Sequence, residues 1–454
     1  MSTATNNAAK TASARRIKLA MIAAAVVILL PGLVMAILYS RHKGPAVDLQ
    51  RNGAPQHSGA VDAIEQKLLA TGDLNKAADD YRQLIADGSR DDRIYGNLAA
   101  VYARLGQYDK AIACAREAIR LSPGTVAPYA TLAVALMAWQ QPEDARDLIH
   151  RAMVSHIDAP EFHSVLYALA LLSPAGPDKP AMADRLRWFA GRPADESYGQ
   201  MLESNTAAFG GHQAKARDLA ARAVDTAQHS NRPELPGAWQ ASAALREAAF
   251  GNDDAARKQA EQSLKLAPAS AEVEVRAALA LAMIGDSVRA ESLAQDVSQR
   301  FPGDTQLQGV WLPAIRAEVM LAKKNPEGAI AVLNSAVALE LGESAFGPNP
   351  SCMYTTYLRG EAYLADEKGT AAATQFQKIL DHEGVVWNCW TGALAHLGLA
   401  RAFVLEAQES EGQDVDDDRL KGLMAYKDFL RIWKDADPDI PILTQAKDEL
   451  ANMQ

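Results

Sequence analysis

The chain reads as an all-α superhelix of about ten stacked helical hairpins, preceded by one apolar N-terminal segment. Three observations predict this. Small and apolar residues recur at a spacing of 34; Gly and Pro fall where paired helices must stop; and 48% of the 454 residues are hydrophobic, too many for a disordered chain. A net charge of −10 lacks the basic footprint of a nucleic-acid binder. Three cysteines exclude a disulfide-rich scaffold.

The first 18 residues read as a short disordered cytosolic head ending in Arg15, Arg16 and Lys18. Leu19–Tyr39 carries no charged side chain and, at 1.5 Å per residue, reaches ~31 Å, enough for a bilayer core of about 30 Å. The stretch is longer than the apolar part of a cleaved signal, and no small-residue cleavage site closes it, so it reads as an uncleaved transmembrane anchor. Lys10, Arg15, Arg16 and Lys18 precede it, while Arg41, Lys43 and Arg51 follow; that margin places the N-terminus in the cytosol and the remainder across the membrane. Residues 40–57 form a polar linker.

Periodicity begins after the linker. Gly72 and Ala77 recur as Gly106 and Ala111; Tyr95, Leu98, Ala99 and Ala118 recur as Tyr129, Leu132, Ala133 and Ala152; Gly251, Ala256 and Pro268 recur as Gly285, Ala290 and Pro302, always 34 apart. Within one unit, small residues let two antiparallel helices approach closely. Gly106 supplies a left-handed stop and Pro123 ends the second helix. A lone hairpin cannot bury its apolar face, so neighbours stack. Regular units are expected at 58–159 and 237–304, degenerate hairpins at 160–236 and 305–352, and further units with a capping helix at 353–454.

These features resemble the tetratricopeptide repeat, most fully over Asp92–Thr125, where Tyr95, Leu98, Ala99, Tyr102, Gly106, Tyr108, Ala111, Ala118 and Pro123 all fit. Gly211–Val224, Thr356–Leu364, Phe376–His382, Gly392–Ala402 and Trp433–Leu443 resemble the C-terminal repeat region of bacterial membrane proteins that carry a cytosolic Ser/Thr kinase or winged-helix domain ahead of one span. The kinase motifs have no counterpart here, so the resemblance implies the anchor and repeats without enzymatic output.

Other chemistry reads as structural. Gly342–Phe346 lacks the second glycine of a nucleophile elbow, and His150, His156 and His163 are spaced wrongly for two ligands on one helical turn. Asp414, Asp416, Asp417 and Asp418 lack the Gly and Glu of a calcium loop and read as part of a solvated acidic loop over Gln408–Asp418. No metal and no cofactor is expected. Cys352 and Cys389 each precede the first helix of successive units, where a disulfide and two free thiols both remain open; Cys114 reads as a small hydrophobe.

First helices of such a superhelix line its concave face. There Arg93, Ala100, Arg104, Ala130, Val134 and Met137 make two cations beside an apolar strip, suited to a protein or peptide with acidic and apolar side chains. The expected function is a non-enzymatic, membrane-anchored scaffold at the periplasmic face of a bacterial inner membrane. Its expected partners are proteins and, through residues 19–39, the lipid bilayer, with no nucleic acid and no small-molecule substrate. The alternative is a sensor module paired with a separately encoded kinase or transcription regulator.

Overall fold

The structure, a computed structural model, describes residues 58–453 apart from 193–194, 345–346, 348 and 410–412. The expected head, span and linker lie outside the described residues. Among the described residues there are 22 α-helices, one π-helical turn and no strand, and no helix is long and apolar enough to cross a membrane.

Ten hairpins follow one another in chain order. The first joins α1 (Ser58–Thr71) to α2 (Leu74–Ala86), the second α3 (Asp92–Arg104) to α4 (Tyr108–Leu121), and the third α5 (Val126–Ala138) to α6 (Pro142–Val154). The next three are α7 (Pro160–Leu171) with α8 (Lys179–Phe189), α9 (Glu196–Phe209) with α10 (Gln213–Gln228), and α11 (Leu235–Ala249) with α12 (Asp253–Leu266). The seventh pairs α13 (Ala271–Met283) with α14 (Ser287–Arg300). In the eighth, a π-helical turn (Leu307–Trp311) leads into α15 (Leu312–Ala322), which pairs with α16 (Pro326–Asn334). The ninth is α17 (Tyr354–Ala365) with α18 (Gly369–Leu380); a single turn, α19 (Glu383–Val386), then precedes the tenth, α20 (Trp390–Glu409) with α21 (Gln413–Ile432). The last helix is α22 (Pro441–Met453).

The turn inside each regular hairpin repeats one conformation. Gly72, Gly106, Gly251 and Gly285 take positive φ, and so does Gln140, which occupies the same repeat position without being glycine. After Gly106, the N–H of Gln107 returns to Tyr102 O (2.9 Å) and that of Gly106 to Ala103 O (3.0 Å), satisfying carbonyls at the end of α3.

First and second helices differ in kind. Every residue of α13 from Val273 to Ala282 is buried, whereas α12 buries only Ala256, Ala260 and Ser263. A helix enclosed on all sides is what an all-round apolar sequence produces, and a single buried stripe is what an amphipathic one produces. The first helices therefore form the inside of the molecule, within a core running from Val61 to Ala446 and a smaller second one around Met201, Trp239 and Val273.

That inside is closed because the spiral is wound until successive turns touch. The turns within the first, second, third, fifth and sixth hairpins dock on segments that follow a hairpin four to six places later. Thr305 N donates to Gly72 O (3.1 Å) and Glu343 N to Ala103 O (3.2 Å). Gln140 donates to Asp381 O. Asp437 N donates to Gly211 O (3.0 Å) and Ile442 N to Phe250 O (3.3 Å). These contacts form a seam.

Two expectations are revised. Asp416, Asp417 and Asp418 stand in the first two turns of α21, not in a loop. Acids near a helix N-terminus are favoured by its unpaired N–H groups, which explains why an acidic run can begin a helix. The second revision concerns the inner strip.

Candidate functional site: the inner face beneath the seam

Repeat geometry does bring the expected strip to the inner side of α3 and α5, but the chain covers much of it. Arg104, Ala130 and Met137 are buried; Ala100 and Val134 are half-buried and pack against the core. Arg93, with 39% of its side chain exposed, is already paired with Asp62 and, at 3.1 Å, with Glu65. The strip is therefore not the open groove that a single repeat suggests. It is covered because a later turn of the same spiral lies on it.

Arg104 occupies the centre of this closure. Its Nη2 donates to Gln306 Oε1 at 2.8 Å, and Gln306 Nε2 donates back to the Arg104 carbonyl at 3.0 Å. Beside them is a cavity of about 20 Å³ lined by Arg104, Glu272, Asp304, Gln306 and Trp311, among others. That volume is enough for about one water molecule. Burial lowers the pKa of the Arg104 guanidinium, while the charges of Asp304, Glu272 and Glu343 oppose the shift. Burial pushes the Glu343 carboxyl up to about 7, against the attraction of Arg104 and with the help of Glu161. Glu272 and Asp304 are raised by burial as well.

Further along, Arg276 lies over the Trp311 ring at 5.5 Å, and Trp311, Tyr354 and Trp390 follow one another with centroids 5.6 and 5.7 Å apart. Burial pushes the Tyr354 phenol up to about 12 and brings Arg246 down to about 10. The Arg104–Gln306 pair thus holds the second hairpin against the eighth, while the Arg276, Trp311, Tyr354 and Trp390 contacts link the seventh to the tenth in order. This arrangement serves mutual recognition of helices.

Cys352 and Cys389 are joined in a disulfide with Cα atoms 5.6 Å apart. Cys114 is a free, partly buried thiol on α4. His163 is buried; its Nε2 lies 3.0 Å from Asp158 Oδ1 and its ring stacks on Trp188 at 4.0 Å, while His150 and His156 are exposed. Gly342–Ser344, the described part of the Gly-Glu-Ser sequence, belongs to a loop on the seam.

Sequence reasoning missed the residues that form the seam. Asp304, Leu341–Glu343, Asp381 and Trp433–Asp437 lie in loops after second helices, Gln306 leads into the π-helical turn and Gly384 lies in α19; a single repeat does not reveal what they meet.

The fold and its inner face define a class: an all-α repeat superhelix of the kind that suggests a protein–protein interaction scaffold. Residues 93–124 match the family described as "Tetratricopeptide repeat", so the chain carries a tetratricopeptide repeat there, within a run of similar hairpins. Similar solved structures include yeast Tom70, at 12% identity over 88% of this chain and 96% of that one, with a TM-score of 0.35. Human IFIT1, a dimer with PPP-AAAA, is similar at 16% identity over 79% and 88%, with a TM-score of 0.38. A tetratricopeptide repeat protein from Parabacteroides merdae is similar at 15% identity over 71% and 98%, with a TM-score of 0.30. Likenesses this distant carry no argument about function. No curated protein matches the chain.

Proposed function

We propose that this protein is a non-enzymatic, membrane-anchored scaffold that captures a protein partner on the periplasmic side of a bacterial inner membrane. The helical-repeat architecture supports the scaffold reading most directly. A rigid superhelix offers preorganised contacts, and an anchor confines them to the membrane surface, where effective concentration is high. The charge-free segment Leu19–Tyr39 supports the anchor, and the Cys352–Cys389 pairing supports an oxidising compartment.

The partner of this reading is an acidic and apolar peptide segment or helix. It approaches the part of the inner strip that keeps exposure, around Arg93, Ala100 and Val134. Crosslinking in membranes followed by mass spectrometry tests the proposal. Ala100→Glu places a repelling carboxylate on that strip and is expected to reduce recovery of the crosslinked protein at least about tenfold. Unchanged recovery removes the surface from the proposal. A C-terminal reporter active only in the cytosol tests the orientation, and activity there reverses it.

A further inference from the structure

The disulfide joins two loops that both make the middle of the seam. The loop following α16 presents Leu341–Glu343 to the α3–α4 turn: Tyr108 OH donates to Leu341 O (2.7 Å) and Glu343 N to Ala103 O (3.2 Å). The loop following α18 presents Asp381 to Gln140 and packs Gly384 against Met137. In that second loop, Asn388 Nδ2 donates to both Leu202 O and Thr206 Oγ1 at 2.8 Å. Between them the loops touch the second, third and fifth hairpins. Apart from the single turn α19, neither has regular secondary structure to hold it in place.

The loops are fastened to each other at one place. Ser351 N donates to Val385 O (3.3 Å), Asn349 Nδ2 to Val386 O (3.3 Å), and Thr391 Oγ1 to Cys352 O (2.7 Å), around the Cys352–Cys389 bond. The fit against the first turn is close: a Cβ on Gly342 would stand 2.3 Å from Arg104 O, and one on Gly384 would stand 2.1 Å from Met137 O. Contacts that tight survive only while the loops keep their position.

We infer that Cys352–Cys389 is a clasp that keeps two turns of the spiral together over the second, third and fifth hairpins, so that its redox state sets whether the inner face is covered. Opening the clasp consumes a dithiol reductant. The S–S bond breaks, two S–H bonds form from two electrons and two protons, and the reductant leaves as its own disulfide. Cys114 does not substitute for that reductant: burial pushes its thiol up to about 11, which keeps it protonated at neutral pH. The inference does not depend on the scaffold reading, because closure is measured without a partner.

Amide hydrogen exchange on the full chain, oxidised and then reduced with dithiothreitol, tests it. The amides of Glu343 and Ser351 are expected to exchange at least about tenfold faster after reduction. Those of Thr305 and Ile442, on seam contacts remote from the clasp, are expected to keep their rates. An unchanged Glu343 amide overturns the inference, and so does an equal rise at all four, which makes the bond a general staple. Gly342→Ala, with the disulfide intact, is the second arm. It is expected to free the Glu343 amide while Ser351 stays protected; a protected Glu343 amide in that variant overturns the docked loop.

Discussion

Two glycines in the same conformation separate a closed spiral from an open one. Gly211 and Gly285 both sit in turns between paired helices, with φ of 76° and 80°. Alanine at either position takes on the left-handed penalty, about 1 kcal/mol. Their surroundings differ. A Cβ on Gly285 meets nothing within 4 Å, whereas one on Gly211 lies 2.4 Å from Ala436 Cβ and 3.0 Å from the Trp433 ring, both across the seam. Trp433 is buried against Phe250 and Phe429, and its indole N–H is bonded to Phe209 O at 2.9 Å, so it has little room to move. Overpacking of that kind costs a further 1–3 kcal/mol, roughly. Urea unfolding is then expected to show Gly285→Ala losing about 1 kcal/mol and Gly211→Ala about 2–4 kcal/mol. Equal losses would refute the reasoning, because only the seam distinguishes the two sites.

Three further outcomes follow from the same geometry. Replacing Cys352 and Cys389 together by Ser opens a loop with a sequence separation of 37 and is expected to lower stability by about 4 kcal/mol in denaturant titration; a loss below about 1 kcal/mol contradicts it. Arg104→Ala leaves Gln306, Asp304 and Glu272 without their buried cation, and a loss of about 3 kcal/mol is expected by the same assay. The Glu343 carboxyl has a folded-state pKa of about 7 against an ordinary 4.5, so its protonated form favours the fold. That contribution is complete below the unfolded value and is lost as pH rises through about 7. Between pH 5 and pH 8, Glu343→Gln is therefore expected to flatten the stability profile by up to about 3 kcal/mol, and an unchanged slope sinks the assignment.

Much of the fold is legible because each hairpin follows local rules. Tyr95, Leu98, Ala99, Gly106 and Ala111 specify a pair of helices and the turn between them within 34 residues, and all of that information is near in sequence. The inner strip was legible as a direction but not as an environment. Periodicity places Arg104 and Met137 on the inward side; it does not say that Gln306, 202 residues further on, bonds to the first or that Gly384 packs against the second. Such contacts depend on how tightly the spiral winds, which is the sum of small rotations at every hairpin. The acidic run before Arg419 was misplaced for a different reason: composition favoured a loop, while the electrostatics of a helix start accommodates the same residues.

The spacing between Gln140 and Asp381 tests the closed spiral most directly, since their loops belong to hairpins six places apart and touch. Spin labels on Gln140→Cys and Asp381→Cys, with Cys114→Ser to remove the free thiol and the Cys352–Cys389 bond left oxidised, report that spacing by pulsed dipolar spectroscopy. A touching seam predicts a narrow distribution below about 25 Å, the reach of two label arms. Six hairpins stacked at an interaxial distance of about 10 Å without winding back would separate the labels by about 60 Å, and a distribution centred there would contradict the account.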